Sequence, residues 1–400
     1  MNLEEVEIHG FKIMNECGVS TTTGFLPDKL LEVFPSNANI GLNEFLRWLD
    51  WSASMLPNLI ASKNVKELVD GMPKANFWFE DIPKVVLNRI ALISTMIAHA
   101  YFRECCPYES IGKSVEDESV YSLPRNLAIS IFYSTKLLGM RPALNYGLYT
   151  LFNFKKKNPS EELRADNSEM LVSFTGSISE NWFEAIHHNV ESVFSPSIHH
   201  LAMACILSYQ DNLDEEAIAD CLEKALDPNI EVIDVLKLMR KNCDPQEYYN
   251  KIRLFYTMPQ NVVFEGVKEL EDRPQRNLGQ TGGQSPFEHF RKAVLGIRHN
   301  DSYYPLMRQC MHLGFRKFVE WADNKSRIRE VVLNAKGNKR LLGAYNALVL
   351  QVGQWEEEHN RLVLEFIKSQ SGGESHGTGT TPLPWLDKIH EQTMSHIIFG

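Results

Sequence analysis

The run from Arg340 to Lys368 constrains this chain more than any other. Leu341, Tyr345, Leu348, Val352, Trp355, His359, Leu362 and Phe366 recur at alternating spacings of four and three. At about 3.6 residues per turn, all of them fall on one stripe of a helix roughly eight turns long. Such a stripe must be buried, so the chain is built around a long, rigid core helix. Every member is apolar or aromatic except His359, which must therefore point inward. Glu356, Glu357 and Glu358 precede it and are read as lying on the other faces.

Periodicity alone leaves two readings of His359 open. One is a core histidine bonded to a carbonyl. The other is a metal ligand. A zinc site needs three or four converging ligands. No Cys or second His stands three or four residues from His359. A metal held there would bring its own equatorial ligands, which means haem: one imidazole donor and a dry, flat slot. No Cys-x-x-Cys-His is present, so such a haem would not be covalently attached.

Helical patterns dominate elsewhere. Val85 to Arg103 has helical spacing, and Leu127 to Leu138 follows the break Pro124-Arg125-Asn126. Leu213 to Leu226 starts behind Asp211 and Asn212 and is expected to stop before Pro228, with Ile230 to Lys241 as a separate helix. Trp385 to Ile398 is another. Alternating strands and hairpin dipeptides are missing, so the fold class is all-α. A chain of 400 residues exceeds the usual size of one core. The polar stretch Lys155 to Ser168, with Pro159, is the natural linker. It divides a small N-terminal helical domain, 1–165, from a larger C-terminal one, 166–400.

Charge and cysteines narrow the function classes. A net charge of -10 gives no general attraction to phosphate backbones or anionic lipid, so neither nucleic acid nor membrane is an expected partner. The basic run Lys155-Lys156-Lys157 reads as a solvated turn. The 7 cysteines have no metal-ligand or disulfide framework, which suits a reducing compartment. Met1 to Gly10 does not read as a signal peptide, and Val85 to Phe102 is interrupted by Asn88, Arg89 and His99. That segment is a buried helix rather than a membrane span, and the expected location is cytoplasmic.

Two glycine-rich stretches remain. Gly279 to Ser285 leads into Pro286, and Ser285 with Glu288 reads as a capping box for a helix running to about Ile297. The stretch is not a P-loop, because no lysine follows the glycine pair. It is either a helix-capping turn or a wall of a ligand site. Gly377-Thr378-Gly379-Thr380-Thr381 is either a closing lid or a connector.

Several motifs in one order carry a family resemblance. They are Leu123-Pro124-Arg125-Asn126-Leu127-Ala128, Lys155-Lys156-Lys157-Asn158-Pro159, Phe264-Glu265-Gly266, Gly283-Gln284-Ser285, Leu295-Gly296-Ile297, His359 in its long helix, and Gly377-Thr378-Gly379. From about Gly24 onward the chain resembles the indoleamine 2,3-dioxygenases. The resemblance implies two helical domains and haem b in the larger one. It also implies insertion of both atoms of O₂ across the C2–C3 bond of an indole, tryptophan in the best-known members, giving N-formylkynurenine. The implied partners are therefore an indole substrate and O₂; the oligomeric state stays open.

Carried over, the resemblance makes His359 the axial ligand and Arg253 the partner of the substrate carboxylate. Tyr248 and Tyr249 would flank the substrate, and Tyr146, Thr150 and Phe183 would hold the indole. Thr281 and Gly282 would lie at the haem edge, and Thr378 would contact the substrate ammonium or carboxylate. The departures concern the substrate more than the haem. His187 stands where the mammalian enzymes have a serine, and it could hold the indole N–H; His188 beside it cannot share its helix face. The loop reads Gly-Thr-Gly-Thr, and the aromatic pair is Tyr-Tyr. Arg291 and Glu356 look like a reversed ion pair near the proximal side. Two other readings keep the haem: monooxygenation or rearrangement of a substituted indole, and a haem carrier or sensor whose iron is closed by His187 or His188.

Overall fold

The computed structural model describes residues 1–36, 40–106, 119–335, 337–371 and 383–399. Helix takes 65% of the chain and strand 5%, so the all-α expectation stands. The N-terminal part contains α1 (Leu3–Glu16), α2 (Ile40–Ser62), α3 (Val65–Asp70), α4 (Lys84–Cys105) and α5 (Arg125–Leu138). The remainder contains α6 (Ile178–Leu207), α7 (Glu215–Lys237), α8 (Met239–Asn242), α9 (Pro245–Glu247), α10 (Pro286–Leu295), α11 (Tyr303–Arg308), α12 (Leu313–Lys325), α13 (Ile328–Asn334), α14 (Lys339–Val363) and α15 (Leu383–Met394).

The centre of the molecule is α6, α7 and α14 packed side by side. Each begins with a side-chain cap that satisfies an otherwise orphan backbone N–H. Ser177 accepts from Glu180 N, Asp214 from Ala217 N and Asn338 from Leu341 N. The apolar stripe of α14 is buried as its spacing requires, with Leu341, Tyr345, Leu348 and Val352 at 0–1% exposure. The helix then passes into a π-helical turn, Leu364–Lys368. Helices α4 and α6 are long and apolar enough to cross a membrane by length and composition, yet 89% and 67% of their apolar windows lie buried inside the protein.

Three expectations are corrected here. Pro228 does not separate two helices: α7 runs through it without interruption. Ala225, Val232, Ile233 and Leu236 continue one buried face across the proline, so packing outweighs the lost backbone hydrogen bond. The expected linker is instead a small hairpin, in which β2 (Phe154–Lys156) pairs antiparallel with β3 (Ser168–Met170). Short strands therefore exist. β1 (Val120–Leu123) also pairs parallel with β4 (Asn261–Phe264), which pairs antiparallel with β5 (Gln275–Arg276). The β1–β4 pairing and the 2.7 Å contact between His99 Nδ1 and the Phe255 carbonyl join the two sides of the boundary expected near 165.

Candidate active site

Helices α6 and α14 face each other across a cavity of ≈ 250 Å³. Phe183 and His187 of α6 form one wall with Tyr146, Tyr248, Arg253 and Tyr256. Trp355, His359 and Leu362 of α14, with Phe366 of the π-helical turn after it, form the opposite wall, with Phe287 of α10 beside them. The loop Gln280–Gly283 and Ser285 close a third side. Gly283 lets Tyr303 pack closely there, since a Cβ would crowd its hydroxyl.

The two histidines of α6 have different environments. His188 is fully buried away from the cavity, with Nδ1 2.8 Å from Ser168 Oγ and Nε2 3.1 Å from the Thr150 carbonyl. His187 lines the cavity, and its Nδ1 lies 2.8 Å from the Phe183 carbonyl. A carbonyl only accepts, so Nδ1 carries the hydrogen and Nε2 keeps its lone pair. Desolvation first, and the nearby His359 as well, hold His187 down to about 4, so this acceptor persists at neutral pH. Burial also lowers His359, partly opposed by Glu288 and Glu356. The opposite walls thus present two neutral imidazoles to one slot.

Behind the His187 wall, α6 buries three carboxyl groups: Glu180, Glu184 and Glu191. Glu180 accepts from Tyr149 Oη at 2.7 Å and from the backbone N–H of Phe174 and Thr175. Glu184 accepts from Thr150 Oγ1 at 2.7 Å, and Glu191 from Tyr146 Oη at 3.0 Å and Ser285 Oγ at 2.9 Å. Desolvation pushes Glu184 up to about 8 and Glu191 up to about 7. Ser285 holds the N-cap position of α10 without a side-chain cap bond, because its hydroxyl is spent on Glu191; Pro286 opens the helix.

The expected pair between Arg291 and Glu356 does not form; each takes another partner. Arg291 is fully buried and pairs with Glu288, its guanidinium lying over the rings of Phe287 and Trp355. Glu356 pairs instead with Lys292 at 2.7 Å and accepts from Thr393 Oγ1 at 2.9 Å. Glu358 is also buried, against Arg240 at 2.6 Å, so only Glu357 of the three glutamates faces solvent. The helix stripe is wider than its apolar residues indicate, because α10 and α8 cover the flanks with charged partners.

The structure brings Tyr146, Phe183, His187, Tyr248, Arg253, Thr281, Gly282 and His359 to this one cavity. Thr150 and Tyr249 do not line it. Thr150 is turned to Glu184, one layer behind the wall. Tyr249 follows Tyr248 directly, and adjacent residues of a helical turn point to different faces. Tyr256 takes the second aromatic position, 6.2 Å from Tyr248 ring to ring. Thr378 lies outside the described residues. The sequence reading missed Tyr256, Glu191, Lys292 and the tyrosines Tyr303 and Tyr304. The density of aromatic residues after Arg253 and Asp301 was the only available signal.

This donor set fits haem. Among the described residues no group of three or more His, Cys, Asp or Glu could hold a bare metal ion. One imidazole per wall, between Phe287, Trp355 and Phe366, suits a metal that arrives with a flat ring of its own ligands. The exposed Lys368 at the rim offers a cation to its carboxylates. The fold and site thus define a predominantly helical protein whose central cavity suits a haem.

Comparison with known proteins specifies the class further. The family model described as indoleamine 2,3-dioxygenase matches residues 13–395. Human indoleamine 2,3-dioxygenase 2 is 25% identical, covering 95% of this chain and 94% of that protein. The 6-hydroxytryptophan 2,3-dioxygenase of Fusarium equiseti is 26% identical, over 89% of this chain and 85% of that protein. The myoglobin of Haliotis madaka is 23% identical, over 94% and 96%. The chain belongs to the indoleamine 2,3-dioxygenase family, a family of haem-dependent oxidoreductases.

Proposed function

We propose that this chain, with haem b held by His359, opens the indole ring of L-tryptophan with both atoms of O₂ and gives N-formylkynurenine. The observation that carries this reading is the fixed tautomer of His187, which leaves a neutral Nε2 acceptor on the wall opposite His359. An indole presents one ring N–H, and that acceptor matches it. Arg253, 4% exposed, supplies the fork that a substrate carboxylate needs. Phe183 and Tyr248 stack at 4.5 Å and give the indole a flat aromatic flank. The aromatic walls exclude water, which strengthens both polar contacts and orients the ring. Haem, when bound, supplies the activation of O₂; the protein supplies orientation and a dry cavity. All 7 cysteines are free, which supports placing the protein in the cytoplasm.

A second reading concerns the substrate. Tyr248 and Tyr256 line the cavity with their hydroxyl-bearing rings, and one relative is named for a hydroxylated tryptophan. A ring-substituted indole is therefore the first alternative. The test is aerobic turnover by the haem-loaded ferrous protein, with products identified by mass. L-Tryptophan gaining two oxygen atoms is the expected result. Turnover of 6-hydroxytryptophan alone moves the reading to the substituted indole. A stable oxygen complex with no product from either moves it to a haem carrier or sensor without turnover; one relative is named myoglobin. His359→Ala should lose haem; normal retention would overturn the ligand assignment.

A further inference from the structure

Glu191 stands one helical turn after His187 on α6 and is 0% exposed. Its Oε1 accepts from Tyr146 Oη at 3.0 Å and from Ser285 Oγ at 2.9 Å. Its Oε2 is buried with no hydrogen-bond partner. Among the described residues no lysine or arginine pairs with it. Tyr146 and Ser285 come from separate segments, and both line the cavity. The Tyr146 ring also meets the His187 ring edge-on at 6.0 Å. One buried carboxyl group therefore ties together two hydroxyls that face the ligand space.

We propose that Glu191 is a positioning residue whose protonation decides whether a hydroxyl of Tyr146 or Ser285 is free to donate a hydrogen bond into the cavity. The argument is a count of hydrogens. Each hydroxyl has one. An ionised Glu191 is acceptor-only and takes both. A proton on Oε1 makes Glu191 a donor to one of the two hydroxyls. That hydroxyl then turns its own hydrogen toward the cavity. The wall gains one O–H donor, with no bond made or broken beyond the proton taken from solvent.

The surrounding charges set where the switch falls. From α10, Glu288 opposes ionisation of Glu191, while its own charge is shared with Arg291 and Lys292. From its own helix, Glu184, His187 and His188 flank it, all uncharged at neutral pH through burial. From the segment before the π-helical turn Gly147–Leu151 comes Tyr146, held far above its ordinary value by burial and by Glu191 itself. From α14, His359 and Glu356 face the same cavity. With no counter-charge in reach, burial places the Glu191 midpoint at about 7.

The test has two readouts. The first is pH-difference infrared spectroscopy of the carboxylic-acid C=O band, on both haem-free and haem-loaded protein. A band should disappear as the pH rises through about 7 and be missing in Glu191→Gln. Glu184→Gln should remove a different band, with a midpoint of about 8. The second uses carbon monoxide on the ferrous haem protein, a reading that rests on the proposed haem site. The C–O stretch should move to lower frequency below neutrality, as a donor is gained. Glu191→Gln, whose amide always donates, should hold the low-pH position at every pH. Tyr146→Phe and Ser285→Ala should each shrink the shift.

If the infrared band persists unchanged in Glu191→Gln, or the C–O stretch is independent of pH across neutrality, the proposal is wrong. Failure to form any carbon monoxide complex would instead remove the haem reading. The infrared band would then still decide the protonation of Glu191.

Discussion

At the scale of single residues, the site depends on a second layer that no local pattern reveals. Thr150 resembles a pocket residue by position in the sequence, but its hydroxyl is the only donor to Glu184 among the described residues. Thr150→Val keeps the shape and removes that donor. It should cost about 1–3 kcal/mol, the penalty for a buried acceptor left unmade, with haem and substrate affinities unchanged. Urea denaturation together with a haem titration separates the two effects; weaker substrate binding at full stability would return Thr150 to the pocket. Arg291→Leu is the harsher change. It leaves Glu288 beside the cavity without its guanidinium and should cost roughly 3–5 kcal/mol in the same denaturation assay. His359 was legible because a polar residue interrupts a long apolar stripe. The layer behind it was not, because Glu184, Glu191 and Thr150 meet their partners only once distant segments fold together.

At the scale of elements, the long helices were legible and their interruptions were not. The period of α14 and the apolar length of α4 follow from spacing. Pro228 reads as a terminator because an isolated helix would break there, but α7 gains more from its continuous contact with α6 and α14. Pro228→Ala should therefore stabilise the protein, by up to about 3 kcal/mol, by restoring the backbone donor. An unchanged urea midpoint would show that the backbone is already distorted enough to remove the penalty. Gly314 carries the opposite lesson. It opens the first turn of α12, and a Cβ there would lie 2.1 Å from the Cys17 carbonyl oxygen at the end of α1. Backbone cannot give way as a side chain can, so Gly314→Ala should destabilise by roughly 1–3 kcal/mol. The haem spectrum, set by α6, α10 and α14, should stay the same.

At the scale of the whole molecule, the net charge of -10 describes the surface and conceals the interior. Composition counts 13 histidines; the fold decides that several of them must stay neutral. Burial holds His99, His187 and His312 at about 4 and His188 and His289 at about 3, all below the ordinary 6.5. The unfolded chain takes up these protons first, so the stability they contribute is present above 6.5 and lost as the pH falls toward 3. Glu184 and Glu191 work in the other direction. Their folded values, about 8 and about 7, lie above the ordinary 4.5, so their contribution is complete below 4.5 and lost as the pH rises through 7 to 8. Between 4.5 and 6.5 the two slopes oppose each other, and the more numerous histidines prevail. Above 6.5 the unfolded histidines are neutral and the glutamate slope remains, with His390, raised by its interaction with Glu356, adding to it. Stability should therefore peak close to neutrality, falling steeply on the acid side and gently on the alkaline side. The double variant Glu184→Gln and Glu191→Gln should flatten the alkaline side and, by removing the opposing slope, steepen the acid side between 4.5 and 6.5. Urea midpoints measured on both sides of neutrality check this. An alkaline slope as steep in the double variant as in the parent would mean that these two carboxyl groups are already ionised in the folded protein, and the hydrogen count at the cavity wall would then no longer change with pH across neutrality.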